Sequence, residues 1–313
     1  MPIAGVHEDS GASLPLEKMI VSNGALHFSA LACGFRENAG KPLAICLHGF
    51  PDNARSFRFQ LPALAKAGYR ALAPTLRGYE PSSQPEDNDY SFATLARDVI
   101  GWMDDLEEDT AHLIGHDWGA GIAYVAGALA PDRFDSLTTI AVPHAARLPE
   151  AMRAVPSQLK NSWYMMFFQL RGIAEIAIEW HDWALIKKLW KDWSPDFELT
   201  EEEWERLRET FEAPGVKRAM LDYYRQNVSP GIMLGLTKTE ATSLTTVAVR
   251  TLAITGADDG CIDTRLYDHA FLEEDFPNGF RVERIMGAGH FVHQEKPDEV
   301  NRLILEWLEI EKG

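Results

Sequence analysis

Short apolar runs alternate with segments of helical spacing along the first half of the chain. Leu43–Leu47 (LAICL) is typical of a strand that is buried on both faces. The predicted strands are Leu43–Leu47, Tyr69–Pro74, His112–Gly115 and Leu137–Val142. The predicted helices between them are Phe57–Ala67, Phe92–Leu106 and a glycine- and alanine-rich helix that begins at Trp118.

The same alternation returns near the end of the sequence. Thr251–Thr255 and Arg281–Met286 are predicted as strands, whereas Leu266–Phe276 and Glu299–Ile310 are predicted as helices. Strands that alternate with helices of about 10–15 residues indicate an α/β fold, in which helices cover both faces of a parallel sheet.

The segment between these two blocks has a different composition. It is rich in Trp, Met, Phe and charged residues and contains no strand-like run. Thr200 and Glu203 have the spacing of a capping box at the start of a helix. We therefore predict that a helical cap domain interrupts a core domain, with the core at 1–143 and 242–313 and the cap at 144–241.

Composition and charge exclude several classes of protein. The 313 residues are 46% hydrophobic and 25% charged, as in ordinary globular proteins. A net charge of -17 argues against nucleic acid and anionic membranes as partners, because both require basic surfaces. The cysteines, which are sparse and form no C-x-x-C motif, fit reduced thiols, and the first twenty residues contain no secretory signal. We expect a cytoplasmic protein.

The first sign of chemistry is the sequence Gly115-His116-Asp117-Trp118-Gly119. It stands where a strand passes into a helix and has the G-x-nucleophile-x-G form of a nucleophile elbow. Glycines are needed on both sides because the turn is tight and the nucleophile takes a strained backbone conformation. The alternative is that Asp117 only caps the following helix.

A catalytic triad in this architecture needs an acid and then a histidine on loops after later strands. Asp258 and Asp259 follow the strand Thr251–Thr255, and the Gly-x-x-Asp spacing favours Asp259 as the acid. His290 follows the strand Arg281–Met286 after a Gly-x-Gly turn. Because carboxyl ends of parallel strands share one sheet edge, these residues should lie near Asp117. Two other histidines remain rivals of His290, namely His116 and His293.

A fourth element supplies backbone donors. His48-Gly49-Phe50-Pro51 directly follows the first predicted strand, and a loop there can aim the Phe50 N–H at a developing oxyanion. The N–H of Trp118, after the nucleophile, is the second candidate donor of this oxyanion hole. The alternative is a plain turn that ends the strand.

With these motifs the sequence resembles the α/β-hydrolase-fold epoxide hydrolases. The resemblance runs from about Ile20 to the end and is carried by HGFPD at 48–52, Arg77-Gly78-Tyr79, GHDWGA at 115–120 and GHFVHQEKP at 289–297. It implies an α/β-hydrolase fold with a mostly parallel eight-stranded sheet and a cis Phe50–Pro51 bond. It also implies Asp117 as nucleophile, and neither a metal ion nor an organic cofactor.

The resemblance extends into the cap. The segment that begins Tyr164-Met165-Met166 resembles the family's first tyrosine segment, and Asp222-Tyr223-Tyr224-Arg225 resembles the second. It implies that Tyr164 and Tyr224 protonate the leaving oxygen, with Tyr223 as the rival of Tyr224. At Leu170-Arg171 the chain departs from the family, which commonly has an acidic residue and a proline there.

The implied function is hydrolysis of a small epoxide by water to a vicinal diol, through a covalent ester on Asp117. The expected substrate contacts are His48, Pro51, Trp118 and Phe168, and the expected assembly is a monomer or homodimer. One alternative is a haloalkane dehalogenase, which shares the aspartate elbow and its tryptophan but usually has asparagine in place of Phe50. The other is a non-catalytic binding protein on the same fold.

Overall fold

The computed structural model describes residues 14–233 and 236–309, and within them a single eight-stranded sheet forms the centre of the molecule. The strands are β1 Glu17–Asn23, β2 Leu26–Cys33, β3 Leu43–Leu47, β4 Arg70–Pro74, β5 Ala111–His116, β6 Phe134–Ile140, β7 Thr251–Gly256 and β8 Phe280–Ile285. Their order across the sheet is β1-β2-β4-β3-β5-β6-β7-β8. β1 and β2 pair antiparallel with their neighbours, and all later pairs are parallel.

All six predicted strands are present, with bounds that differ from the predicted ones by at most three residues. β3, β5 and β7 are buried along their whole length, because helices cover both faces of the sheet and leave no position for an exposed side chain. β1 and β2, which form the antiparallel edge, lie before the first predicted strand and had been expected only from the family resemblance. The parallel register aligns the ends of β3 and β5, so that Leu47 is opposite Gly115.

Helices account for much of the remaining described chain. They are α1 Gln60–Lys66, α2 Phe92–Asp105, α3 Trp118–Leu129, α4 Leu148–Ala154, α5 Ser157–Asn161, α6 Trp163–Phe167, α7 Ile173–Trp193, α8 Glu201–Glu212, α9 Val216–Asn227, α10 Pro230–Met233, α11 Glu240–Ser243, α12 Tyr267–Ala270, α13 Val292–Glu295 and α14 Pro297–Leu308. None of them is both long enough and apolar enough to cross a membrane.

Three predicted helix boundaries need correction. The first predicted helix divides into a 3-10 turn at Ala54–Phe57 and α1. The continuous helix predicted over Leu266–Phe276 is wrong: α12 ends at Ala270 and a separate 3-10 turn follows. Tertiary contacts explain this break, because Asp275 pairs with Arg147 at 2.7 Å and its carbonyl accepts a hydrogen bond from Val247. α14 begins earlier than predicted, at Pro297, and the predicted last residue Ile310 lies outside the described residues.

The segment between β6 and β7 contains α4 to α11 and, in its described part, no strand. Its exact domain boundaries remain a prediction. Thr200 caps α8, since its side chain accepts a hydrogen bond from the N–H of Glu203 at 3.2 Å. The other half of the predicted capping box is replaced by a contact with the core, because the Glu203 carboxylate pairs with Arg55 at 2.5 Å.

The first thirteen residues lie outside the described part of the chain. They include most of the N-terminal twenty residues in which no secretory signal is predicted. The free cysteines of the described chain are all buried, namely Cys33, Cys46 and Cys261. The Phe50–Pro51 peptide bond is cis, as the family resemblance implies.

Candidate active site

Asp117 occupies the sharp turn between β5 and α3. Its backbone angles are φ 52° and ψ −114°, a conformation that residues other than glycine rarely adopt. A Cβ atom at Gly119 would lie 2.1 Å from the carbonyl oxygen of Leu47, and one at Gly115 would lie 2.1 Å from the carbonyl oxygen of Gly119. The turn therefore requires glycine at both flanking positions, and it holds the Asp117 carboxylate at the sheet edge.

The structure brings Asp117, His290 and Asp259 together. The Nδ1 atom of His290 lies 2.9 Å from Oδ2 of Asp259, and its Nε2 atom lies 3.5 Å from Oδ2 of Asp117. The other oxygen of Asp259 accepts hydrogen bonds from the N–H groups of Cys261 and Ile262 at 2.7 and 2.8 Å. These bonds aim Oδ2 at His290, so the arrangement has the geometry of a nucleophile, base and acid.

The rival acid points elsewhere. The side chain of Asp258 is turned away from His290, and its Oδ2 atom accepts a hydrogen bond from the N–H of Gly287 at 3.1 Å.

The two rival histidines lie behind the His290 loop. His116 is within 3.0 Å of the His290 carbonyl oxygen through Nε2, and His293 is within 2.6 Å of the Ser56 hydroxyl. Both rings are fully buried, and burial is the main reason that the pKa of each lies below its usual value. Among the described residues, the histidine paired with Asp117 is His290 and neither of these two.

Mutual attraction determines the protonation of the Asp117–His290 pair. Burial disfavours the charged form of Asp117, but the neighbouring His290, 3.5 Å away, outweighs it and lowers the pKa of this carboxyl. Burial also opposes the charged form of His290, yet Asp259 and Asp117 together raise its pKa to about 10. At pH 7 the site therefore contains a protonated His290 beside an ionised Asp117.

A backbone donor binds the carboxylate of Asp117, and a second candidate donor lies next to it in sequence. The Phe50 N–H donates a hydrogen bond to Oδ1 of Asp117 at 2.7 Å. Trp118 is the first residue of α3, where an N–H group has no acceptor within its own helix. A Cβ atom at Gly49 would come within 2.5 Å of Oδ1 of Asp117, so glycine is needed for this close approach. The loop and the helix start thus form a pocket of positive potential around that oxygen.

Tyr164 and Tyr224 lie above this pocket, contributed by α6 and α9 of the cap. Their rings are 5.6 Å apart between centroids and meet edge to face. The Tyr164 hydroxyl lies 3.4 Å from Sγ of Cys261, whereas the buried Tyr224 hydroxyl has no hydrogen-bond partner in the described structure. Burial raises the pKa of both phenols well above the usual value, so each keeps its proton at pH 7.

Tyr223, the neighbour of Tyr224 in the sequence, forms a different contact. The Tyr223 hydroxyl donates a hydrogen bond to the carbonyl oxygen of Arg77 at 2.7 Å, which ties α9 to the core. The hydroxyl proton of Tyr223 is therefore already used in a hydrogen bond to the protein backbone.

Comparison with known proteins gives the family of this chain. Residues 42–297 match the family described as having the alpha/beta hydrolase fold. Epoxide hydrolase A of Mycobacterium tuberculosis is 31% identical, over 94% of this chain and 97% of that protein. The AB hydrolase superfamily protein YfhM of Bacillus subtilis is 33% identical, over 85% of this chain and 90% of that one. A solved epoxide hydrolase of Bacillus megaterium, in complex with an inhibitor, superimposes with a TM-score of 0.80 at 26% identity and covers 93% of this chain and 99% of its own.

The chain belongs to the α/β-hydrolase-fold epoxide hydrolase family.

In this epoxide hydrolase family member, a cavity of about 110 Å³ is lined by residues of the sheet edge and of the helical segment between β6 and β7. Asp117, Trp118, Tyr164 and Tyr224 all line it. The rest of its wall is mostly apolar and comes from both the core and the cap, with Phe92, Val142, Leu148, Met152, Met165, Val228, Ile232 and Ile262 among its members. An apolar molecule that enters this cavity meets one aspartate and two tyrosines in its wall.

His48 does not line this cavity, contrary to the expectation of a substrate contact. Its ring is fully buried, with Nδ1 3.0 Å from the carbonyl oxygen of Gly49 and Nε2 accepting the N–H of Leu76 at 3.0 Å. Burial lowers the pKa of His48 to about 4, so the ring is neutral. It holds the loop that carries Phe50 and is not placed to touch substrate.

Pro51 and Phe168 are likewise absent from the cavity wall. The carbonyl oxygen of Pro51 accepts a hydrogen bond from the indole of Trp190 at 3.1 Å. The ring of Phe168 is fully buried and packs edge to face on that of Tyr224, with 5.1 Å between centroids. Both side chains lie in the layer behind the cavity wall, and their contact with substrate stays a prediction. Of the four expected substrate contacts, Trp118 alone is a wall residue.

Gln158 in α5 is a wall residue that the sequence did not reveal. Its amide nitrogen donates to the carbonyl oxygen of Cys261 at 2.8 Å and to the hydroxyl of Ser162 at 3.0 Å. Its amide oxygen accepts from the N–H of Asp263 at 2.8 Å. It thus joins the cap to the loop that follows Asp259. A glutamine in a polar helical segment carries no sequence signal for such a role.

Proposed function

We propose that this chain hydrolyses epoxides to vicinal diols through a covalent ester on Asp117. The observation that carries the proposal is one apolar cavity lined by an ionised carboxylate, which contacts a histidine–acid pair, and by the phenols of two buried tyrosines. Relatives with the printed name epoxide hydrolase support it. Water is the only co-substrate, and the steps below require no metal ion or organic cofactor.

In the first step Oδ2 of Asp117 attacks an epoxide carbon from the side opposite the carbon–oxygen bond that breaks. Because the pKa of Asp117 is lowered, the nucleophile is ionised at neutral pH without help from a base. Tyr164 and Tyr224 hydrogen-bond the ring oxygen, and one of them donates the proton that the departing alkoxide needs. The product of this step is a hydroxyalkyl ester and a phenolate that regains its proton from solvent.

The second step begins with a change of charge. Once Asp117 is esterified, its negative charge is gone, and His290 loses one of the two carboxylates that raise its pKa. His290 can then release its proton and act as a base toward water, oriented by Asp259. The water oxygen attacks the ester carbonyl, and the N–H groups of Phe50 and Trp118 stabilise the resulting oxyanion. Collapse of this intermediate expels the diol oxygen as an alkoxide, which takes the proton that His290 removed from water. The Asp117 acid that remains gives its proton to His290, which restores the carboxylate and the protonated histidine.

The first turnover in oxygen-18 water tests the ester directly. The diol from a single turnover should lack the label, because its new oxygen comes from Asp117, and the label should appear in the protein. In a His290→Gln variant the intact mass should rise by the mass of one epoxide, and a His293→Gln variant should turn over like the native protein. Labelled diol in the first turnover would exclude the ester route. Release of halide from haloalkanes without turnover of epoxides would favour the dehalogenase.

We further propose a cytoplasmic monomer or homodimer. The free, buried thiols Cys33, Cys46 and Cys261 support a reducing compartment. Light scattering on the purified protein would measure its assembly.

A further inference from the structure

The end of the cap helix α7 contacts both loops that carry the histidine–acid pair. The carbonyl oxygen of Trp193, the last residue of α7, accepts hydrogen bonds from the N–H of Gly260 and from the N–H of His290, both at 3.1 Å. A helix leaves its last carbonyl groups without partners of its own, so this oxygen is available for the core. One cap carbonyl therefore connects the residue after Asp259 with the catalytic histidine itself.

The next residue, Ser194, continues this contact. Its hydroxyl accepts a hydrogen bond from the N–H of Phe291 at 3.1 Å and donates one to Oε1 of Glu295 at 2.7 Å. The Glu295 carboxylate in turn accepts the N–H of Gly289, at 3.0 Å to one oxygen and 2.9 Å to the other. We call Trp193, Ser194 and Glu295 the α7 clasp.

The clasp thus binds three consecutive N–H groups, those of Gly289, His290 and Phe291. The packing around them is tight: Ser194 is fully buried, and a Cβ atom at Gly289 would lie 2.5 Å from the carbonyl oxygen of Trp193. The indole of Trp193 also meets the His290 ring edge to face, at 5.1 Å between centroids. The backbone on both sides of His290 therefore has little freedom to move while the clasp is intact.

We propose that Ser194 and Glu295 are positioning residues that hold the His290 ring in line between Asp259 and the ester, so that the docked cap sets the rate of the hydrolytic step. This inference rests on the proposed function. Neither side chain lines the cavity, so they act through the loop and not on the substrate. Ring opening uses Asp117 and the cap tyrosines, whereas His290 acts as a base in ester hydrolysis alone. Loss of the clasp should therefore slow the second step selectively.

The test is to measure the two steps separately in Ser194→Ala and Glu295→Gln variants. Rapid quenching followed by intact mass gives the rate of ester formation, and the decay of that mass gives the rate of hydrolysis. Ser194→Ala removes two hydrogen bonds, one accepted from the N–H of Phe291 and one donated to Glu295. Ester hydrolysis should be slower by at least about tenfold, because the loss of even one hydrogen bond has about that effect. Ester formation should stay within about twofold, so the ester should accumulate. Glu295→Gln keeps the shape and one acceptor oxygen, and its effect should have the same direction.

Thr210→Val is the matched control. It removes a hydrogen bond of 3.0 Å between the cap and Asn53 of the core, far along the chain from the triad loops. If this control slows hydrolysis as much as Ser194→Ala, or if both steps slow equally in the clasp variants, the residues serve only to dock the cap and the inference is wrong. Unchanged hydrolysis in both clasp variants overturns it as well. Failure of the native protein to form an ester with any epoxide would instead overturn the proposed function.

Discussion

The adjacent tyrosines of α9 offer a test in which stability and catalysis should separate. Tyr223 and Tyr224 are both fully buried, and each can be changed to phenylalanine with the loss of a single oxygen atom. The Tyr223 hydroxyl donates to the Arg77 carbonyl at 2.7 Å, whereas the Tyr224 hydroxyl lies in the cavity wall without a partner in the described structure. The two substitutions therefore remove the same chemical group, in one case with a hydrogen-bond partner and in the other without one.

The expected magnitudes follow from these contacts. Tyr223→Phe leaves a buried carbonyl oxygen without its donor, which should lower the free energy of unfolding by about 1–3 kcal/mol. Tyr224→Phe removes a buried hydroxyl that forms no hydrogen bond, so stability should be unchanged or higher. The same change removes one of two proton donors at the ring oxygen, and we expect ring opening to be slower by about 100-fold, the low end for acid catalysis because Tyr164 remains.

Two measurements on the same preparations suffice. Thermal or urea unfolding gives the stability of each variant against the native protein, and single-turnover ester formation gives the rate of ring opening. We expect Tyr223→Phe to be less stable and nearly fully active, and Tyr224→Phe to be stable and slow. If Tyr223→Phe loses ring opening as severely as Tyr224→Phe, or if Tyr224→Phe opens epoxides at the native rate, the assignment of the cap tyrosines is refuted.

Two further predictions concern the core. Gly119→Ala should lower the free energy of unfolding by more than about 3 kcal/mol, because its Cβ would lie 2.1 Å from the Leu47 carbonyl oxygen. Gly121→Ala should lower it less, because the Cβ there meets the movable ring of Phe92. Equal melting temperatures of the two variants would contradict this prediction. Burial raises the pKa of Asp52 from 3.8 to about 6, so the folded state holds this proton more tightly than the unfolded state. Its contribution to stability is complete below about pH 4 and should fall by about 3 kcal/mol as the pH rises through 6. Unfolding of the native protein and of Asp52→Asn across this range checks the sign, since the variant should lack that slope.

The hydrophobic pattern of the sequence by itself determines the layout of the core. A run such as Leu43–Leu47 has no polar position, and only a strand covered on both faces tolerates that. Once the parallel sheet is established, the carboxyl ends of its strands must share one edge. For this reason Asp117, Asp259 and His290 could be expected together although up to 173 positions separate them in the sequence.

Tertiary structure decided which of several equivalent residues faces the site. Asp258 and Asp259, or Tyr223 and Tyr224, differ by one position in a chain, and their spacing alone does not say which side chain meets Gly287 or Arg77. The same holds for Phe168, whose apolar ring suits a cavity wall and the layer behind it equally well. Packing chooses between such positions because each side chain takes the direction in which its polar atoms find partners and its apolar surface is covered.

The α7 clasp could not be predicted from the sequence, for a related reason. A backbone carbonyl such as that of Trp193 is present at every residue, so no residue type marks the one that will accept the N–H of His290. Ser194 and Glu295 stand 101 positions apart and belong to the cap and the core, respectively. Only the docking of the cap on the sheet brings them together. That contact buries the polar groups of both side chains, so each becomes the available hydrogen-bond partner of the other.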